Sequence, residues 1–69
     1  MLTEEQIAET RASLRELQVE HHDLDLVIDH LMLNPPADDL LIRRLKKRKL
    51  LLKDRIVALE HLLQPDVLA

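Results

Sequence analysis

A seven-residue apolar repeat, interrupted once by Asn34-Pro35-Pro36, is the feature that most constrains the fold of this chain. Before the prolines, one position of the repeat holds Ile7, Leu14, His21 and Ile28, and the other holds Thr10, Leu17, Leu24 and Leu31. After them it resumes with Ile42, Lys49, Ile56 and Leu63 at one position, and with Leu45, Leu52 and Leu59 at the other. This spacing is typical of a helix that packs along another helix. We call these two sets of positions the seam.

The first helix has a clear start signal. Thr3 can accept a hydrogen bond from the amide three residues later, and Gln6 at that position can reach back to form a capping box. Leu2 precedes the cap and Ile7 is the fourth helical residue, and apolar side chains at these two positions pack together as a hydrophobic staple. We therefore predict a helix over about residues 4–33.

The prolines predict a break, because a residue before proline leaves the α region and a proline inside a helix loses a hydrogen bond. Asp38 and Asp39 then favour a second start, where a carboxylate can cap exposed amides. Pro65 is expected to end this helix, so we predict a second helix over about residues 38–63. A connection this short forces neighbouring helices to run antiparallel.

The predicted fold class is therefore all-α: an antiparallel, coiled-coil-like two-helix hairpin. With 69 residues, we expect one domain, residues 1–69. The chain contains no cysteine, glycine or aromatic residue. Disulfides, glycine-rich phosphate loops and aromatic platforms for nucleic-acid bases are thereby excluded. No apolar stretch has the length of a transmembrane helix, so no membrane association is expected.

Folding the hairpin about the prolines sets the two halves of the seam face to face. In this register Leu24 meets Lys49 and His21 meets Leu52. The flanking positions then form three opposite-charge pairs: Asp25 with Lys46, Glu20 with Arg55, and Arg11 with Glu60. The apolar pattern alone determined the register, so the charge match supports it independently.

The run 43–49 holds six cations in seven residues and allows two interpretations. Residues 1–34 carry eight acids and two bases, whereas residues 35–69 carry eight bases and five acids. We favour internal charge matching, because charged runs are most often solvated faces. The alternative is a nucleic-acid-binding protein that contacts phosphates through Arg43, Arg44, Lys47 and Arg48.

A second apolar stripe lies on the opposite side of the first helix from the seam. Its members, again seven apart, are Ala12, Val19, Leu26 and Leu33. The second helix has a similar excess, which includes Leu51 and Ala58. A lone amphipathic hairpin would keep such positions polar. We therefore predict an interface with a homo-oligomer partner or a partner helix, and a role as a self-associating interaction or scaffold module.

Polar residues also occupy the seam. His21 is interpreted as a packed filler or, alternatively, as a pH-sensitive element, since protonation would place a cation in an apolar layer. Lys49 can pack its stem and extend its ammonium towards Asp25. His22, Asp25 and Asp29 share one helix face, but a closed zinc site needs four ligands, so we expect no metal or other cofactor. A two-helix hairpin also offers little interior for a pocket, so neither a small-molecule substrate nor enzyme activity is expected.

Two segments resemble the YdcH-like family of small uncharacterised bacterial proteins. The first is residues 17–28, with Glu20-His21-x-x-Leu24-Asp25, and the second is residues 45–56, which read LKKRKLLLKDRI. The resemblance extends over residues 17–57. It implies a helical hairpin, often assembled into oligomers, in the bacterial cytoplasm, and it implies no particular activity.

Overall fold

The computed structural model describes residues 2–36 and 38–64 and contains two helices, α1 (Glu4–Leu33) and α2 (Asp39–Leu63), packed against each other. The predicted helical hairpin is confirmed. The bounds of α1 agree with the prediction, and α2 begins one residue later than predicted.

The start of α1 is the capping box that the sequence predicts. The Thr3 hydroxyl accepts a hydrogen bond from the Gln6 amide at 3.0 Å, and the Thr3 amide donates to the Gln6 side-chain oxygen at 2.9 Å. At the other end, the Asn34 side-chain amide donates to the carbonyl of His30 at 2.7 Å. At both ends of α1, side chains therefore form hydrogen bonds with backbone groups near the helix terminus, where some backbone groups have no partner within the helix.

Asp38 precedes α2 rather than belonging to it, because its carboxylate caps the helix. This carboxylate accepts a hydrogen bond from the Leu41 amide at 3.0 Å, which requires Asp38 to keep an extended backbone. At the C-terminal end the Gln64 amide donates to the carbonyl of Glu60 at 3.1 Å. The predicted stop at Pro65 lies outside the described residues.

The core is a single line of aliphatic side chains between the helices. The buried hydrophobic residues of the described chain are Ile28, Ile42, Leu52 and Ile56, and all four are seam positions. The remaining seam residues are half-buried, including Leu17, Leu24 and Leu45. Burying one such side chain contributes about 1.5–3 kcal/mol, so the hairpin depends on very few contacts.

The molecule is elongated, with principal extents of 50 × 25 × 15 Å. Its radius of gyration is 15.6 Å, whereas a compact chain of this length would have about 11 Å. Two helices alone cannot enclose a core on all sides. Both broad faces and both outer edges of the hairpin therefore remain open to solvent.

Replacing Leu52 by alanine should destabilise the hairpin by about 2–4 kcal/mol, because it removes buried methyl groups from the centre of the core. Leu52 is 3% exposed, whereas Leu50 is 66% exposed. The same change at Leu50 is the matched control, with an expected effect within about 0.5 kcal/mol. Urea unfolding followed by circular dichroism measures both. Equal losses for the two variants would contradict the position of the seam.

Candidate interaction surfaces and interhelical ion pairs

The α1 stripe, formed by Ala12, Val19, Leu26 and Leu33, lies on the exposed side of α1. Val19 is 58% exposed, Leu26 is 56% exposed and Leu33 is 79% exposed. Residues seven apart stand nearly above one another on a helix, so the four side chains form one continuous surface. Ala12 and Val19 also line a shallow depression with Arg15 and Glu16. The sequence placed these residues outside the seam, and their exposure agrees with that placement.

A shallow groove of about 620 Å³ follows one side of α2, and we call it the α2 groove. It is lined by Leu17, Arg48, Leu51, Leu52, Asp54, Arg55 and Ala58. Leu51 and Ala58 are the α2 residues that the sequence analysis assigned to an interface. The groove adds Arg48 and Arg55 and the half-buried Leu17 of α1, to which the sequence analysis gave other roles, together with Leu52 and Asp54. Arg48 and Arg55 are seven residues apart, and that spacing was the available signal.

One interhelical ion pair confirms a prediction, and in the described chain the three predicted between flanking positions do not form. The Lys49 ammonium bonds to the Asp25 carboxylate, as expected for a seam lysine, and Lys46 does not take that place. Lys49 occupies the seam, so its stem packs between the helices and its ammonium emerges beside Asp25. Lys46 is exposed, and within the described residues it has no carboxylate within 4.0 Å.

Glu20 bonds to Arg48 at 3.0 Å rather than to Arg55, and the described chain shows no Arg11–Glu60 ion pair. The long arginine side chain lets Arg48, two helical turns from Arg55 on the same flank of α2, reach Glu20. Both partners are about half exposed. Such a pair contributes roughly 0–1 kcal/mol, so it orients the helices more than it stabilises them.

Three polar groups meet at the middle of the seam: His21, Asp25 and Lys49. The His21 Nδ1 lies 4.0 Å from the Asp25 carboxylate, and the His21 side chain is 22% exposed. Lys49 donates a hydrogen bond to Asp25 and also lies close as a positive charge, and together these effects hold the pKa of the Asp25 carboxyl below its ordinary value of 3.8. The half-buried position of His21 agrees with a packed side chain. Its role as a pH-sensitive element stays a prediction.

Lys49→Gln should raise the pKa of Asp25 towards 3.8, because it removes the main cause of the shift. The control Lys46→Gln removes an equal charge nearby and should leave the Asp25 pKa unchanged. A carboxyl NMR titration of the three proteins measures this. A shift caused by Lys46→Gln alone would contradict the Asp25–Lys49 pair and favour Lys46 as the partner.

The lowered pKa of Asp25 determines one way in which the stability of the hairpin changes with pH. The pKa of Asp25 is lower in the folded chain than in the unfolded chain. The Asp25–Lys49 pair therefore contributes its full stabilisation when the pH is above the pKa of Asp25 in the unfolded chain. That stabilisation is lost as the pH falls through the pKa of Asp25 in the folded chain. Lys49→Gln should remove this part of the acid sensitivity, as measured by urea unfolding at a series of pH values below 5.

The basic run is partly engaged within the hairpin. Arg48 and Lys49 each pair with an acid of α1, whereas Arg43, Arg44 and Lys47 are exposed. One of the four residues proposed as phosphate contacts therefore already has a carboxylate partner. This arrangement supports internal charge matching and gives no support to the nucleic-acid alternative.

Two other possibilities concern metals and membranes. His22, Asp25 and Asp29 share a helix face in the sequence, but the described residues contain no group of three or more His, Cys, Asp or Glu placed to hold a metal ion. Neither α1 nor α2 combines the length and apolar character that a membrane span requires.

Comparison with known protein families identifies a relationship. A family model described as "Protein of unknown function (DUF465)" matches residues 14–60. The YdcH-like resemblance is consistent with this family. No curated protein and no solved structure matches the chain. The matched segment includes the connection between the helices, the polar centre of the seam and the whole α2 groove.

Proposed function

Because this chain belongs to the DUF465 family, which has no assigned activity, we propose a function from its exposed surfaces: it is a small interaction module that self-associates. The α1 stripe and the α2 residues Leu51 and Ala58 form the association surface. Assembly places the hairpins side by side in a larger helical bundle, which is the form in which the module acts.

The observation that carries this proposal is the exposure of the α1 stripe. Three of its four aliphatic side chains are more than half exposed, although they lie on one side of the helix. Single exposed aliphatics are normal on protein surfaces. A continuous row along a helix is characteristic of an association surface, since water contact with that row is unfavourable.

The exposed area supports the same conclusion. The chain exposes 5782 Å² of accessible surface, whereas a compact monomer of 8.1 kDa would expose about 4,500 Å². The excess exceeds the roughly 800 Å² that each partner buries in an interface of standard size. Covering one broad side of the hairpin would bring the exposed area close to that of a compact protein.

The small number of buried side chains favours a self-associating hairpin rather than an isolated one. The described residues bury four aliphatic side chains between the helices, and small domains need additional packing, a metal or a disulfide to reach ordinary stability. The chain has no cysteine, so packing against another helical surface is the available source. In a symmetric dimer each interface residue is buried twice, which doubles its contribution.

Val19→Glu combined with Leu26→Lys should convert the protein to monomers while α1 stays helical. Both changes place charges in an apolar contact, and each lost aliphatic contact removes about 1.5–3 kcal/mol. Sedimentation equilibrium over a tenfold range of concentration measures assembly, and circular dichroism checks the helices. Wild-type unfolding should also depend on protein concentration, because dissociation is coupled to it.

Gln18→Glu is the control, since it adds a charge next to Val19 but outside the α1 stripe. It should leave assembly unchanged. A wild type that stays monomeric over the whole concentration range would refute self-association. The α1 stripe would then be a surface for a helix of another protein.

A further inference from the structure

We propose that the α1 stripe of one copy packs against the α1 stripe of a second copy, with the two α1 helices antiparallel. This inference rests on the self-association proposed above, and it specifies how the stripe is covered. The stripe lies on the side of α1 opposite the seam, at the outer edge of the hairpin. Val19, Leu26 and Leu33 are each more than half exposed there. The two hairpins therefore meet edge to edge, through their α1 helices.

The sizes of the side chains favour an antiparallel contact. They increase along the α1 stripe in the order Ala12, Val19, Leu26 and Leu33. When the second copy runs in the opposite direction, Ala12 lies opposite Leu33. Val19 then lies opposite Leu26. The shallow depression that Ala12 and Val19 line is the space that Leu33 of the second copy fills.

One register covers the whole stripe. The midpoint between Ala12 and Leu33 and the midpoint between Val19 and Leu26 both fall just after His22. A single two-fold axis at that point therefore relates all the apolar contacts. A shift of one heptad in either direction would leave Leu33 or Ala12 without an apolar partner.

Charged residues on one side of the stripe agree with this register. Arg15 of each copy lies beside Asp29 of the other, because these residues are at nearly equal distances from the axis. Both side chains are exposed. Within the described residues, no oppositely charged group lies within 4.0 Å of either one. The apolar residues alone define the register, so this charge match supports it independently.

On the other side of the stripe, Glu16 of each copy lies beside His30 of the other. The Asn34 side-chain nitrogen lies 3.3 Å from His30 Nδ1. Because an amide nitrogen donates, Nδ1 accepts, and the neutral ring carries its proton on Nε2. That nitrogen can donate a hydrogen bond to the Glu16 carboxylate of the second copy.

Two residues next to the axis meet their own equivalents, His22 on one side of the stripe and Asp23 on the other. Both side chains are exposed, and solvent and salt screen the repulsion between exposed like charges. The Arg15–Asp29 contact and the Glu16–His30 contact each form twice by symmetry. The favourable polar contacts therefore outnumber the unfavourable ones.

A parallel pairing of the two stripes fits less well. It would set Ala12 against Ala12 and Leu33 against Leu33 of the second copy. Because the distance between packed helices depends on the side chains at the contact, the helix axes would then have to diverge along their length. Antiparallel packing sets a smaller residue against a larger one in every layer, so the spacing stays nearly constant. It also opposes the two helix dipoles.

A two-fold axis perpendicular to the broad faces of the hairpin produces this contact. The four helices of the dimer lie side by side, with both α1 helices in the middle and the α2 helices outside. The surface is its own partner, so the contact closes as a dimer. The α2 grooves of both copies open on the same broad face, where Leu51 and Ala58 stay available for a second contact in a larger bundle.

The variant proposed above to test self-association remains informative in this register. Val19→Glu with Leu26→Lys would set opposite charges across the contact. Exposed ion pairs contribute less than the buried aliphatic contacts that they replace here. The double variant should therefore still dissociate, and it tests self-association without depending on the register.

The test of the register exchanges the charges at the Arg15–Asp29 pair. Arg15→Glu and Asp29→Arg should each weaken self-association by about tenfold or more, because each places like charges together in both copies of the contact. Mixing the two variants should give a heterodimer of near wild-type affinity, since both contacts again join opposite charges. In the parallel alternative the two changed positions would not meet, so mixing would restore nothing. Native mass spectrometry distinguishes the heterodimer from each homodimer by mass.

Two further variants complete the experiment. Combining both changes in one chain should restore the homodimer, while Arg11→Glu, the same substitution on the flank of α1 next to the seam, should leave it unchanged. Circular dichroism confirms that each variant folds. A wild-type dimer that Arg15→Glu does not weaken, or a mixture without preferred heterodimers, would overturn this inference and leave self-association standing. A monomeric wild type would overturn both proposals.

Discussion

The burial of aliphatic side chains along the seam is the interaction on which the rest of the structure depends. Ile28 of α1 and Ile42, Leu52 and Ile56 of α2 are buried there, and their contact determines how the two helices are rotated about their own axes. That rotation decides which residues point outwards. The exposure of the α1 stripe, the position of the α2 groove and the meeting of Asp25 with Lys49 are all consequences of it.

Polar residues interrupt this apolar line at its middle, and their effect is on specificity more than on stability. Lys49 replaces an aliphatic residue at a seam position, so its ammonium must find a carboxylate near the point where it leaves the interface. Asp25 meets that requirement. A slipped or parallel arrangement would separate the two charges. One pair of this kind can therefore select a register even where its net contribution to folding is small.

The small core also explains why aliphatic residues remain exposed on the outer surfaces of the hairpin. Two helices enclose a core only along the line between them, so aliphatic residues elsewhere on the chain stay in water. In the arrangement we propose, a second copy covers the α1 stripe and supplies apolar packing that most small helical domains have within one chain. Within the hairpin, the acids of α1 and the bases of α2 favour one register.

The sequence by itself determined the two helices, their ends and the seam, because these depend on local hydrogen bonds and on the period of the apolar residues. Thr3 and Asp38 cap helices as predicted, and each buried residue is a seam position. The sequence offered Asp25 two partners, Lys46 and Lys49, and only the tertiary structure decided for Lys49. It also decided that Glu20 binds Arg48 rather than Arg55. Long charged side chains reach across more than one helical turn, so their partners depend on the separation and rotation of the packed helices. A local pattern names the candidate partners but does not choose between them, and it gave Leu51 and Ala58 without the groove that they line.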